Sequence, residues 1–158
     1  NRGCHAALAA NRGCRVDHRA VSRVGGRRLE FLESTSRQLS RLATDDAGAL
    51  GDAVAGRYEV TTVTLDEALR EYGIARGFDF LSIDVEGAEL DVLAGFSVAE
   101  WCPGVVVIEH NGRPDEGRAI DAFFSVAGYE KCLPGFARND SWFIHSSRRG
   151  GRSVTTRR

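Results

Sequence analysis

Carboxylates placed where a strand gives way to a helix are the clearest chemical signal in this chain. Phe78-Asp79-Phe80-Leu81-Ser82-Ile83 reads as a buried strand, and Asp84, Glu86 and Glu89 follow it around Gly87. In open α/β sheets, ligands bind in the crevice beyond the carboxyl ends of the strands. Asp84 therefore has two readings. As a helix N-cap it would accept free amides and complement the helix dipole. Facing the crevice, it would lie beside a cofactor's reactive centre or a substrate hydroxyl. Glu86, expected in the first helical turn, carries the same two readings. Glu89 shares a helix face with Glu86, so that pair either holds a substrate or only aids solubility.

The second candidate is Glu109-His110-Asn111, at the end of the apolar run Val105-Val106-Val107-Ile108. Ends of adjacent parallel strands lie ~5 Å apart, so Asp84 and Glu109 are expected to converge. His110 is the natural general base near neutral pH, although a histidine in a strand-end loop is also readily structural. Two carboxylates with Asn111 would also suit a hard divalent ion such as magnesium.

The elements that must position these groups follow from periodicity. A first helix covers Cys4–Ala10, and short strands are expected over Cys14–His18 and Leu29–Leu32, paired as a hairpin through a Gly25-Gly26 turn. Residues 34–56 read as a long polar connection with one weak helix. Tyr58–Val63 is β-branched and reads as a strand. Thr64-Leu65-Asp66-Glu67 then forms a capping box, opening a helix that buries Leu65, Ala68, Leu69 and Tyr72 and stops at Gly73. After the strand at 78–83 comes a helix over about Gly87–Ala94, with Leu90 and Leu93 on one face. The Val105–Glu109 run lacks alternation, which suits a strand covered on both sides. A helix over Arg118–Ala127 and an antiparallel pair at Tyr129–Leu133 and Ser141–His145 complete the pattern. Strand-helix-strand-helix ending in a strand pair is an α/β arrangement.

Composition narrows the function classes. A chain of 158 residues, 42% hydrophobic and 27% charged, has enough length for one domain with a real core. The net charge of −1 offers no basic field for nucleic acid or an anionic membrane. No apolar run is long enough to span a bilayer and no signal-peptide pattern opens the chain, so a cytoplasmic location is expected. Cys4, Cys14, Cys102 and Cys132 form no C-x-x-C pair and read as free thiols. Trp101 and Trp142 read as packing residues. Gly48, Gly51 and Gly56 follow no strand and carry no lysine, which excludes a phosphate loop. The basic stretch 148–158 is expected to be a disordered tail. With no methionine in the sequence, the chain is expected to be incomplete.

Several of these segments taken together carry a resemblance. Val63-Thr64-Leu65-Asp66-Glu67, Ile83-Asp84-Val85-Glu86-Gly87-Ala88-Glu89, Val92-Leu93-Ala94-Gly95-Phe96 and Val106-Val107-Ile108-Glu109, with Leu8-Ala9-Ala10-Asn11 and Ala20-Val21-Ser22 upstream, resemble the FkbM family of S-adenosylmethionine-dependent methyltransferases. The resemblance implies a Rossmann-like class I methyltransferase fold over residues 1–147, with a mostly parallel sheet ending in an antiparallel strand pair. It implies methyl transfer from S-adenosylmethionine to an oxygen of a sugar or natural-product hydroxyl. Ala20 and Val21 would lie on the adenine side of the cofactor and Asp84 on the methyl side, with Asp84, Glu86, Glu109 and His110 as the catalytic candidates. The family's glycine-rich loop and its ribose-binding acid would precede residue 1, so the implied domain is N-terminally incomplete and its cofactor binding weak. Two other classes remain open: a non-catalytic remnant that binds another chain along an open sheet edge, and a sugar-nucleotide transferase using Asp84-Val85-Glu86 with manganese.

Overall fold

The computed structural model describes residues 2–36, 40–43, 54–133 and 139–148. Most of the expected long connection and residues 149–158 of the expected tail lie outside them. The chain forms two compact units, one of residues 1–72 and 85–96, the other of residues 73–84 and 97–158.

The first unit is built on β4 (Val54–Val63), whose β-branched end pairs on both sides. Strand β1 (Ala20–Val21) runs parallel to it, with Ala20 opposite Thr62 and Val21 opposite Val63. On its other side β2 (Arg28–Ser34) runs antiparallel, and β3 (Arg41–Leu42) pairs with β2, giving the order β1-β4-β2-β3. Helix α1 (His5–Asn11) stands close to its expected place. Cys14–His18 is not a strand, which corrects the expectation. There Asp17 accepts the Arg19 amide (2.9 Å) and its guanidinium (2.7 Å), and this local side-chain bonding replaces a ladder. Accordingly β2 takes β4, not Cys14–His18, as its partner. The Gly25-Gly26 turn is held by buried Thr62, whose hydroxyl donates to the Val24 carbonyl (2.7 Å) and accepts from the Arg27 amide (3.0 Å). Gly26 adopts φ 73°, open to glycine without steric cost.

Helix α2 (Leu65–Glu71) opens with the capping box read from the sequence. The Glu67 amide donates to the Thr64 hydroxyl (3.1 Å) and the Thr64 amide to the Glu67 carboxylate (2.8 Å). Gly73, at φ 64°, follows its end. Leu69 is buried, while Leu65, Ala68 and Tyr72 are half-buried. Helix α3 (Glu89–Ala94) starts two residues later than expected. Its buried face is Glu89, Val92 and Leu93, at i, i+3 and i+4, with Phe96 buried just past its end, whereas Leu90 faces outward.

The second unit has β5 (Phe80–Ile83), β6 (Val105–Glu109), β7 (Tyr129–Cys132) and β8 (Asp140–His145) in the order β5-β6-β8-β7. Strands β5 and β6 are parallel, and β8 inserts antiparallel between β6 and β7. Val106 and Ile108 are fully buried, while Val105 and Val107 are half-buried, so β6 is interior to the sheet with one face covered more completely. Helix α4 (Val98–Trp101) buries Trp101, in keeping with a packing role. Helix α5 (Pro114–Val126) begins four residues ahead of expectation because Pro114 suits the first turn, where its missing amide costs nothing. It packs Phe124 face to face on Phe143 (centroids 4.5 Å apart) and edge-on to Tyr129 (5.5 Å). Arg148, assigned to the tail by sequence, donates to the Gly77 carbonyl at 2.6 Å.

The single mostly parallel sheet is thus corrected to two mixed sheets. Among the described residues four of the six strand pairings are antiparallel. The alternating β2 and the returning β8 each join a neighbour that runs the opposite way, and antiparallel pairs tolerate one wetter face. No described helix is long and apolar enough to cross a membrane, and none of the four cysteines is in a disulfide.

Candidate functional site

Asp84 and Glu109 meet at the carboxyl end of the parallel β5–β6 pair. The register places Ile83 opposite Ile108, so Asp84 and Glu109 follow at the same level, with Glu109 still paired to Asp140 of β8. Their carboxylate oxygens lie within 4.8 Å of each other. Asp84 is exposed and Glu109 half-buried. Two such groups can orient a hydroxyl between them, accept its proton, or anchor a hydrated divalent ion.

Asp84 is not the cap of α3. Ala88 occupies the N-cap position, and no side chain bonds there to the helix amides. The physical reason lies in the intervening turn. Glu86 and Gly87 have φ of 56° and 100°, outside the right-handed helical region, so the helix cannot begin before them. Glu86 is therefore in the turn and not in a first helical turn, and it is half-buried.

Glu89, expected either to hold a substrate or to face water, does not face water. Its side chain is fully buried. Its Oε1 accepts the Gly87 amide at 3.1 Å and the Val85 amide at 3.3 Å. The carboxyl thus takes up backbone donors that a turn of this shape turns inward.

His110 closes a second turn. Its Nδ1 accepts the Gly112 amide at 3.2 Å, its own amide donates to the Asn139 carbonyl (2.7 Å), and its carbonyl accepts from Arg113 (2.8 Å). In the neutral ring with Nδ1 accepting, the proton resides on Nε2. That tautomer presents a donor at Nε2, and a base there requires the other one.

In the first unit, Ala20 lines an open cleft of about 620 Å³ together with Phe31, Tyr58, His18 and Asp17. Val21 is not among its lining residues and stays in the ladder opposite Val63. The Phe31 and Tyr58 rings pack on each other there, centroids 5.3 Å apart, and the Arg2 guanidinium lies 4.1 Å from the Tyr58 ring centroid. The strand's next residue, Ser22, anchors α3. Its hydroxyl donates to Asp91 (2.5 Å), the Arg23 amide does the same (2.9 Å), and the Arg23 guanidinium pairs with that carboxylate. Burial pushes the Asp91 carboxyl up, but these hydrogen bonds outweigh it and hold it below its ordinary value. Gly95 comes so near that a Cβ there would stand 2.8 Å from the Ser22 carbonyl.

Sequence reasoning missed two groups. One is Glu89 in its turn-holding role, for which the only signal was a carboxylate at the core position of an otherwise apolar i, i+3, i+4, i+7 stripe. The other is the network of Asp17, Arg19, Glu71 and Tyr72. Arg19 bonds Asp17 and reaches Glu71 at 2.5 Å, while the Tyr72 hydroxyl donates to Asp17 at 2.8 Å. The Arg19 hydrogen bonds hold both carboxyls below the usual range, and donation to Asp17 raises the Tyr72 phenol. The spacing Asp-x-Arg hinted at the first contact; the others come from residues far away in sequence.

Residues 1–131 match the methyltransferase FkbM domain family. The match covers most of the chain, and the chain belongs to that family. No curated protein and no solved structure matches it.

Proposed function

We propose that this FkbM-family chain transfers a methyl group from S-adenosylmethionine to a hydroxyl oxygen of a sugar or natural product, on a Rossmann-like class I fold. The β5-β6-β8-β7 order, with its inserted antiparallel strand, supports that fold. The observation that carries the reaction is the convergence of Asp84 and Glu109 at the ends of two parallel strands. When bound, S-adenosylmethionine supplies a methyl group already activated by its positive sulfur.

The chain's own residues would do the rest. A hydroxyl at Asp84 and Glu109 donates its single proton to one of the two carboxylates, which sets its direction. As the oxygen–methyl bond forms and the sulfur–methyl bond breaks, the hydroxyl proton passes to that carboxylate. A positioned base of this kind contributes roughly 10²–10⁴-fold. His110 would serve as a donor at the edge of the site through Nε2. The carboxylate pair would alternatively help anchor a divalent ion such as magnesium, and a chelator separates the two uses.

The test is transfer of tritiated methyl from S-adenosylmethionine to a panel of sugars and hydroxylated natural products, with and without EDTA. Label in an alkali-stable ether that persists in EDTA is the expected result. Loss of label in EDTA would assign the carboxylates to a metal. No label in any acceptor, with the protein in excess, would overturn the proposal.

A further inference from the structure

We infer that Glu89 is a positioning residue that fixes the turn from which Asp84 projects. Packing alone gives no reason for a carboxyl here. The stripe of Val92, Leu93 and Phe96 would be completed equally well by leucine, and Glu89 is 0% exposed. Burying a carboxyl is costly unless hydrogen bonds compensate it. The compensation is specific, because Oε1 accepts from Val85 and from Gly87. The Val85 amide belongs to the peptide unit that begins at the Asp84 carbonyl. Holding that amide fixes the plane of the peptide leaving Asp84, and holding the Gly87 amide fixes the far side of the turn. Between them stands Glu86 at φ 56°, a conformation that L residues other than glycine adopt only where the surroundings impose it.

One side chain from the first turn of α3 thus reaches back over the whole bend. Fully buried, it acts through the peptide plane that it sets at the Asp84–Val85 bond. The kinetic consequence rests on the methyl-transfer reading above, whereas the structural consequence does not. A misplacement of about 1 Å at a reacting group costs roughly 100-fold in rate. Loss of the Glu89 acceptor should therefore appear in kcat, with the KM for S-adenosylmethionine unchanged.

The experiment uses the full chain and three variants. Glu89→Gln keeps the length and a carbonyl oxygen for both amides; Glu89→Asp keeps a carboxyl that stops one methylene short; Glu89→Leu fills the stripe with no acceptor. Amide hydrogen exchange is followed residue by residue, beside methyl transfer. In Glu89→Asp and Glu89→Leu, exchange at Val85 and Gly87 is expected to quicken by roughly tenfold or more, while Ile83 and Ile108 are unchanged. Glu89→Gln should leave both amides protected and retain transfer. Unaltered exchange at Val85 and Gly87 in Glu89→Asp would overturn the inference. So would exchange quickened equally at Ile83 and Ile108, or a Gln variant as impaired as Asp. If Glu89→Leu does not fold, the Asp and Gln pair decides alone. If the unaltered chain transfers no methyl group, the functional reading fails, and the exchange data still judge Glu89.

Discussion

The ends of β5 and β6 make the same kind of bend with different chemistry. Each passes through a left-handed residue and then a left-handed glycine, Glu86 and Gly87 at one, Asn111 and Gly112 at the other. In each, a nearby side chain accepts the glycine amide: Glu89 Oε1 for Gly87 and His110 Nδ1 for Gly112. The carboxyl reaches back from a helix and is fully buried; the imidazole reaches forward from the strand and is half-buried. One acceptor also holds a second amide, and the other holds one. The end that carries Asp84 is therefore the more firmly set of the two, and the end that carries Glu109 is the adjustable one.

The largest expected effect follows from that inequality. Glu89→Leu should lower stability by roughly 2–3 kcal/mol, since two backbone donors lose their acceptor. His110→Ala should cost about 1 kcal/mol, with one solvent-accessible donor released. Denaturant unfolding of both variants checks the ranking, and a larger cost at His110 would reverse the comparison.

A second effect sharpens the account of the β5 side by testing how α3 is anchored in its own unit. Gly95→Ala would set a Cβ 2.8 Å from the Ser22 carbonyl, against backbone that cannot swing away. A loss of about 1–3 kcal/mol is expected, together with weakened bonds from Ser22 and Arg23 to Asp91. Thermal unfolding and the Ser22 amide shift would show it.

The smallest effect concerns a carboxylate away from both bends. Asp17 is held below its ordinary value by Arg19. Its contribution is thus fully present above about pH 4, the usual aspartate value, and is lost as pH falls from there toward the lowered native one. Asp17→Asn should flatten that part of the acid limb of the stability curve and leave its shape at neutral pH unchanged. A variant with the same acid limb as the parent would show that Arg19 contributes nothing there.

How much of this was legible in the sequence depends on the range of the determining contact. The capping box at Thr64 and Glu67 was legible because both bonds span three residues. The convergence of Asp84 and Glu109 was legible because parallel strands impose it. The choice between the two readings of Asp84 was not legible, because the helix start depends on two left-handed residues and nothing local shows that Glu86 must be one. Glu89 was misread because its burial is set by Val92, Leu93 and Phe96 together, while a glutamate by itself signals solvent. The Cys14–His18 strand was misread because apolar alternation gives no weight to the bonding of Asp17 with Arg19. The insertion of β8 between β6 and β7 is a long-range choice that a hairpin pattern leaves undetermined.

The most direct measurement compares methyl transfer by the unaltered chain and by Asp84→Asn, with the melting temperature of each. Asparagine has nearly the shape of aspartate, and Asp84 caps no helix, so the melting temperature should not move. Removing the charge that takes the hydroxyl proton should lower turnover roughly 100-fold or more. Equal turnover at equal melting temperature would contradict the account and leave Asp84 without a chemical role.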